Sequence, residues 1–366
     1  MRYRLPESHR PYTDAYFLRS RHILEREDLN PRVTMQIFLR QGPGRIHGID
    51  EAVGIIGSFA GNGGRNLTVH ALPEGAEYAP LETLMLIEGP IQDFIELETL
   101  YLGVIASATS ERNGDPLPDP SAVERRAAAI REMLPDKQLM YFGSRHWHWT
   151  YDEEITRAAI RGGFDSCATD AGATASGLSG GVGTIPHALV LTFAHRVGME
   201  RATAEATLAF DRHMDPSIAR IALVDTFNRE VTDSIATAEA LGSRLWGVRL
   251  DTAGENLGQG GTPFDGRTHW TGNGVTVELV RNVREQLDAA GHNDVNIVLS
   301  SGFGDLEKIA AFKEGEARYG RLFESIGIGS LFPARFATAD IVRIEGRDIA
   351  KAGRGLHPNP RLRRVL

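Results

Sequence analysis

The residues of this sequence best suited to chemistry lie at the ends of short apolar runs. Arg249 and Asp251 alternate within RLWGVRLD, so on a strand both side chains point the same way. Such a pair can hold a phosphate or carboxylate and a ribose hydroxyl together; an internal salt bridge is the structural alternative. Asp225, closing RIALVDT, can take a sugar hydroxyl or Mg2+, or can cap the helix that follows. Ser301, Gly302 and Gly304 in SSGFGD precede a helix beginning near Leu306, an arrangement that lets backbone N–H groups hold a phosphate. SIGIGS, with Gly327 and Gly329, offers a second turn of this kind. Glycines alone also serve as plain loop punctuation. His187 follows GVGTIP and opens an apolar stretch; it is either a hydrogen-bonded core residue or a nucleophile or acid/base. Arg145 stands with Trp147 and Trp149 in YFGSRHWHWTYDEE, a set that suits a flat anionic ligand or the packing of one domain on another. No HExxH or paired-histidine spacing supports a histidine-based metal site.

These groups need strands to carry them. Runs at 139–143, 164–169, 185–190, 220–226, 244–251, 295–302 and 325–330 read as seven short strands alternating with helical stretches. That alternation predicts a parallel sheet curled into an α/β barrel, whose functional groups gather at the C-terminal strand ends. Before it, strands at 33–40, 67–72 and 80–88 with a helix over about 93–109 predict a separate mixed α/β unit. NGDPLPDPS at 113–121 is the clearest linker. The expected division is 1–115, joined by the tail 340–366, against 116–339. The tail's KAGRGLHPNPRLRRVL reads as a basic surface arm or a loose end.

Composition bounds the rest. The chain has 366 residues, enough for two domains, with 42% hydrophobic and 24% charged positions and a net charge of -8. An acidic balance argues against a reader of nucleic-acid backbone. The single Cys167 excludes a disulfide framework or a Cys-based zinc cluster. No apolar run is long enough to span a membrane, and the charged start lacks signal-peptide character, so a soluble cytoplasmic protein is expected.

Taken together and in order, the motifs resemble those of nicotinate phosphoribosyltransferase in its short, archaeal-type form. YTDAYFLRSRHIL, EGPIQDFIELETLYLG, YFGSRHWH, GGFDSCATDAGATASG, GVGTIPHALVLTF, IALVDTFN, WGVRLDTAGEN, VLSSGFGDLEKI and IGIGS carry the resemblance along nearly the whole chain. It implies a type II phosphoribosyltransferase fold: an incomplete (β/α) barrel with an N-terminal α/β domain, working as a homodimer or higher oligomer with shared sites. It also implies ATP-coupled transfer of phosphoribosyl from phosphoribosyl pyrophosphate to nicotinate, with Mg2+ and without zinc. In that family pattern His187 is the residue phosphorylated by ATP, and Arg249 and Asp251 contact the ribosyl and phosphate groups. Asp225 is a ribose or Mg2+ partner, Thr184 and Arg145 bind substrate, and Tyr16 reaches the ring from the partner subunit. Ser301, Gly302, Gly327 and Gly329 hold the 5′-phosphate.

The sequence departs from the pattern at His146, where an arginine is expected, and at Ala168, where nicotinate enzymes carry serine and nicotinamide enzymes aspartate. Phosphoribosylation of another small heteroaromatic acid or amide, or non-catalytic ligand binding, therefore stands as the alternative.

Overall fold

Two sheets organise the chain, and the site lies between them. The computed structural model describes residues 3–366. The first sheet is antiparallel, with strands in the order Arg347–Asp348, Ala337–Ile344, Arg32–Leu39, Thr83–Pro90, Thr68–Ala71 and Arg363–Arg364. Its central Arg32–Leu39 strand is almost entirely buried, with Val33, Met35, Ile37 and Leu39 on one face and Thr34, Gln36 and Phe38 on the other, and nearby lies the helix Glu98–Arg112, twelve of whose fifteen residues are buried. Strands from both ends of the sequence thus share one sheet.

The second sheet is parallel throughout, in the order Ser166–Cys167, Gln138–Tyr141, Ser325–Ile328, Asn296–Leu299, Leu245–Leu250 and Arg220–Leu223. It curls into a half-barrel and does not close. Helical crossovers bury its outer face around Leu139, Val248, Ile297 and Phe312, the usual requirement of a parallel sheet.

Six strands form here, not the seven expected. The run at 185–190 is not a strand: His187 is the first residue of the helix His187–Val197, and Pro186 precedes it in extended conformation. The apolar character that suggested a strand belongs to a buried helix face (Leu189, Val190, Leu191, Phe193), a confusion that short apolar runs invite. The residues just upstream occupy the missing strand's place. Val182 N–H donates to the Cys167 carbonyl at 2.8 Å, and the Thr184 hydroxyl donates to the Ile221 carbonyl at 2.8 Å. Those carbonyls belong to the two edge strands, so segment 182–186 bridges the barrel's open seam.

The C-terminal tail is neither loose nor a mere surface arm. Gln36 and Thr83 of the first sheet fasten it: the Gln36 side-chain amide donates to the Gly355 carbonyl, the His357 N–H donates to Gln36 Oε1 at 2.7 Å, and the Thr83 hydroxyl donates to the His357 carbonyl at 2.5 Å. Lys351 and Arg354 are thereby carried inward, each with a side chain no more than a tenth exposed. Among the described residues no helix is long and apolar enough to cross a membrane.

Candidate active site

The C-terminal ends of the parallel strands face the antiparallel sheet across a cavity of about 440 Å3. Nine of the eleven expected site residues reach its walls: Arg145, Arg249, Asp251, Ser301, Gly302, Gly327 and Gly329 from parallel-strand ends and the turns that follow them, and Tyr16 and His187 from the starts of helices. Their sequence separation is large, and the curled parallel sheet delivers most of them to one rim.

At the centre, His187 sits at a helix start with both ring nitrogens engaged. Nδ1 lies 3.0 Å from the Thr226 hydroxyl, and Nε2 lies 2.9 Å from Lys351 Nζ and 3.5 Å from Asp251 Oδ2. Burial lowers the imidazole pKa, the Lys351 ammonium lowers it further, and Asp225 and Asp251 oppose them. The ring is therefore neutral at pH 7 and keeps a lone pair for a phosphoryl group. Burial would raise the Asp251 carboxyl, but the hydrogen bond with His187 and the charges of Lys351 and Arg249 outweigh it and hold the group well below the carboxylate range.

Lys351 carries no signal in the sequence as a site residue. Its ammonium ion pairs with Asp225 Oδ2 at 2.6 Å and donates to the Asp251 carbonyl at 3.1 Å. That contact revises the place of Asp225, whose side chain is fully buried and is not part of the cavity wall. In this structure the Asp225 carboxylate is committed to the Lys351 ammonium. Among the described residues no group of three or more His, Cys, Asp or Glu side chains is arranged to hold a metal. Thr184 also stays off the wall, spending its hydroxyl on the Ile221 carbonyl in the seam.

Arg249 extends from the Leu245–Leu250 strand. One terminal nitrogen donates to the Ile185 carbonyl at 3.3 Å, while Nε is buried without a partner. A buried guanidinium with donors to spare is suited to a phosphate or carboxylate. Across the cavity rim, Ser301 and Gly302 both adopt left-handed backbone (φ 72° and 81°) just before the helix Leu306–Tyr319. For Ser301 this conformation is strained, and such strain concentrates at ligand-holding turns. The two glycine turns touch: a Cβ at Gly304 would overlap the Ser330 carbonyl, and one at Gly329 would overlap His146. Lys308, one turn into that helix and also without a sequence signal, donates to the Ser301 carbonyl at 2.8 Å; burial lowers its ammonium to about 8.

The opposite end is aromatic. The Tyr16 hydroxyl meets Arg145 within the same chain, and the guanidinium lies 5.9 Å from the Tyr16 ring centroid. The resemblance assigns this tyrosine to a partner's site; here it stands in its own chain's cavity, buried at the start of the helix Ala15–Arg26. Burial would lower the Arg145 pKa, but Tyr16, Asp14, Glu98 and Asp251 raise it, so the cation persists. His146 backs the second glycine turn and meets the Phe336 ring in a tilted contact, centroids 4.4 Å apart. Burial, aided by Arg145, pushes its pKa down to about 3, so it adds no charge where an arginine was expected. Ala168 is buried off the cavity, its carbonyl accepting from Ala15 N–H at 2.8 Å. Cys167 is likewise buried, its thiol pushed up to about 12 by burial. Outside the cavity, Trp149 packs on Tyr12 of the first unit, the domain-packing role, while Trp147 packs on Phe332 within the half-barrel core.

Known proteins share parts of this sequence and its fold. Residues 14–109 match the sequence family described as quinolinate phosphoribosyl transferase, N-terminal domain. A nicotinate phosphoribosyltransferase of Mycobacterium tuberculosis is 28% identical over 283 residues, which are 76% of this chain and 54% of that protein. The chain thus spans about half the length of the curated relative it matches. A nicotinate phosphoribosyltransferase from Vibrio cholerae superposes with a TM-score of 0.69 at 14% identity, over 94% of this chain and 89% of that one. One from Porphyromonas gingivalis does so with a TM-score of 0.67 at 14% identity, over 95% and 93%. Agreement at such identities is agreement of fold. The chain therefore has the fold of the type II phosphoribosyltransferases, and its sequence resemblance is to the nicotinate phosphoribosyltransferases.

Proposed function

We propose that this chain transfers the phosphoribosyl group of phosphoribosyl pyrophosphate to nicotinate, giving nicotinate mononucleotide and pyrophosphate, with ATP hydrolysis coupled through His187. The observation that carries this reading is the convergence on one cavity of an aromatic, cationic end (Tyr16, Arg145), a neutral histidine beside Asp251, and two glycine turns. That spacing suits a mononucleotide laid across the half-barrel, ring toward Arg145 and 5′-phosphate at Ser301–Gly302 and Gly327–Gly329.

The chemistry asked of the site is modest. Displacement at the anomeric carbon passes through a cation-like state, so catalysis rests on orientation and charge placement. In the coupling step a nitrogen of neutral His187 attacks the terminal phosphorus of ATP; a P–N bond forms, the P–O bond to ADP breaks, and water later cleaves the phosphoramidate. The Lys351 ammonium beside the imidazole balances the added negative charge. Mg2+ accompanies the pyrophosphate rather than a fixed protein site. Residues 1–115 with the tail 340–366 form the unit bearing the base end, and 116–339 the half-barrel unit. The protein acts in the cytoplasm as a homodimer or larger assembly on small molecules.

One observation favours a second reading, another small heteroaromatic acid: His146, uncharged, stands where the pattern has an arginine. A dicarboxylate such as quinolinate is disfavoured because the uncharged His146 adds no second cation beside Arg145 for a second carboxylate. The test is formation of nucleotide by purified protein from phosphoribosyl pyrophosphate with nicotinate, nicotinamide and quinolinate in parallel, with and without ATP. Nicotinate is expected to be turned over at least about tenfold faster than the other two, the discrimination a site gains from one paired charge. Equal or absent turnover of nicotinate would sink the proposal.

A further inference from the structure

Glu98 is a carboxyl group placed where a carboxylate substrate is expected. It opens the helix Glu98–Arg112, its side chain is 10% exposed, and that exposure is to the cavity. Among the described residues its only close partner is Arg145, with Oε1 3.7 Å from a guanidinium nitrogen, too far for a hydrogen bond. An ionised Glu98 would repel a carboxylate arriving at Arg145 and would compete for that cation. A neutral Glu98 would instead offer an O–H donor to it.

We propose that Glu98 is a specificity-determining residue of the base pocket: as the neutral acid it donates a hydrogen bond to the carboxylate that Arg145 holds, so a pyridine monocarboxylate binds the protonated form of this group. The inference rests on the reading of Arg145 as the carboxylate anchor.

The surroundings of Glu98 support the neutral acid. From the segment after strand Gln138–Tyr141 comes Arg145, whose charge favours the ionised form. Burial outweighs it, and Asp14, before helix Ala15–Arg26, and Asp340, on strand Ala337–Ile344, push the same way as burial. Tyr16 faces the pair, and Tyr101 lies one turn along the same helix; burial holds both phenols neutral. The Asp14 carboxyl is itself raised by burial. The net result places Glu98 at about 8. Below that pH the donor is present and carboxylate binding is favourable; above it the proton and the binding are lost. A base bearing a neutral amide shows no such loss, since an ionised Glu98 accepts from an amide N–H.

The experiment is the KM for nicotinate from pH 7 to 9.5, with the KM for phosphoribosyl pyrophosphate as control, in wild type and Glu98→Gln. A group titrating at about 8 predicts a rise of about 30-fold in wild type, and a flat profile in the variant. A purely structural role for Glu98 would leave the two profiles parallel and overturn the proposal. Should Glu98→Gln fail to fold, calorimetry of nicotinate binding to wild type at pH 8 in two buffers of different ionisation enthalpy decides. About half a proton taken up per nicotinate supports the proposal, and none overturns it. Nicotinate turned over with a flat wild-type KM defeats only the role of Glu98. No binding or turnover of nicotinate at all defeats the functional reading and this inference with it.

Discussion

Lys351→Met is expected to destabilise the protein by about 3–5 kcal/mol and to abolish ATP coupling in whatever fraction remains folded. The lysine ammonium is the counter-ion of Asp225, whose carboxylate is fully buried and has no other partner closer than the 3.7 Å of His187 Nε2. Removing one member of a buried pair leaves an uncompensated charge, which costs far more than the pair itself contributes. Asp225→Asn combined with Lys351→Met should recover most of the lost stability, because the double variant buries no lone charge. Denaturant unfolding of the two single variants and the double checks this, and additive losses would contradict it. Activity should not return with stability. The same ammonium lies 2.9 Å from His187 Nε2, and without it a phosphorylated imidazole would face Asp225 and Asp251 with no cation between them.

His187→Asn should eliminate acid-labile labelling by ATP radiolabelled at its terminal phosphate, and nucleotide-dependent ATP hydrolysis with it, a loss of at least about 10^3-fold. Phosphoribosyl transfer without ATP should persist at the basal rate, since Arg145, Arg249 and the two glycine turns are untouched. Asparagine can keep a contact to Thr226, whose hydroxyl lies 3.0 Å from Nδ1, so the fold is expected to survive. The neutral ring also sets a pH signature. The imidazole pKa is lowered by burial, so its lone pair is available below the usual histidine range, and ATP coupling should hold at mildly acidic pH before falling. ATP hydrolysis unchanged in His187→Asn would refute the assignment of this residue.

Much of the site is legible in the sequence because its residues occupy strand ends. Arg249 and Asp251 share a side by the period of two, and Ser301–Gly302 lies between a strand and a helix start, both local patterns. His187 is recognisable through its motif, but the run holding it misleads. IPHALV is apolar enough for a strand, and only the seam contacts of Val182 and Thr184 with Cys167 and Ile221 show that an extended bridge and then a helix occupy that place. Lys351 gives no readable signal. It lies in a glycine-, proline- and arginine-rich tail, and the side chains that fasten that tail, Gln36 and Thr83, are more than 270 residues away. Charge composition likewise marks a lysine as exposed unless a partner is known. The pairing of Asp225 is hidden for the same reason, since nothing near it in the sequence marks the lysine that meets it. Ala168 shows the limit of a motif position. Its place in the pattern suggests contact with the base, yet its backbone packs beneath Ala15 and Gly181, and its buried side chain needs no more than a methyl group.

The central claim is that one cavity holds a mononucleotide with its phosphate on the late strand turns and its ring at the Arg145 end. Crystals of the protein soaked with nicotinate mononucleotide test it most directly. The account predicts the 5′-phosphate on the backbone of Ser301–Gly302 and Gly327–Gly329, and the pyridine ring beside Tyr16 with its carboxylate between Arg145 and Glu98. A phosphate bound elsewhere, or a ring lying away from Arg145, would contradict it.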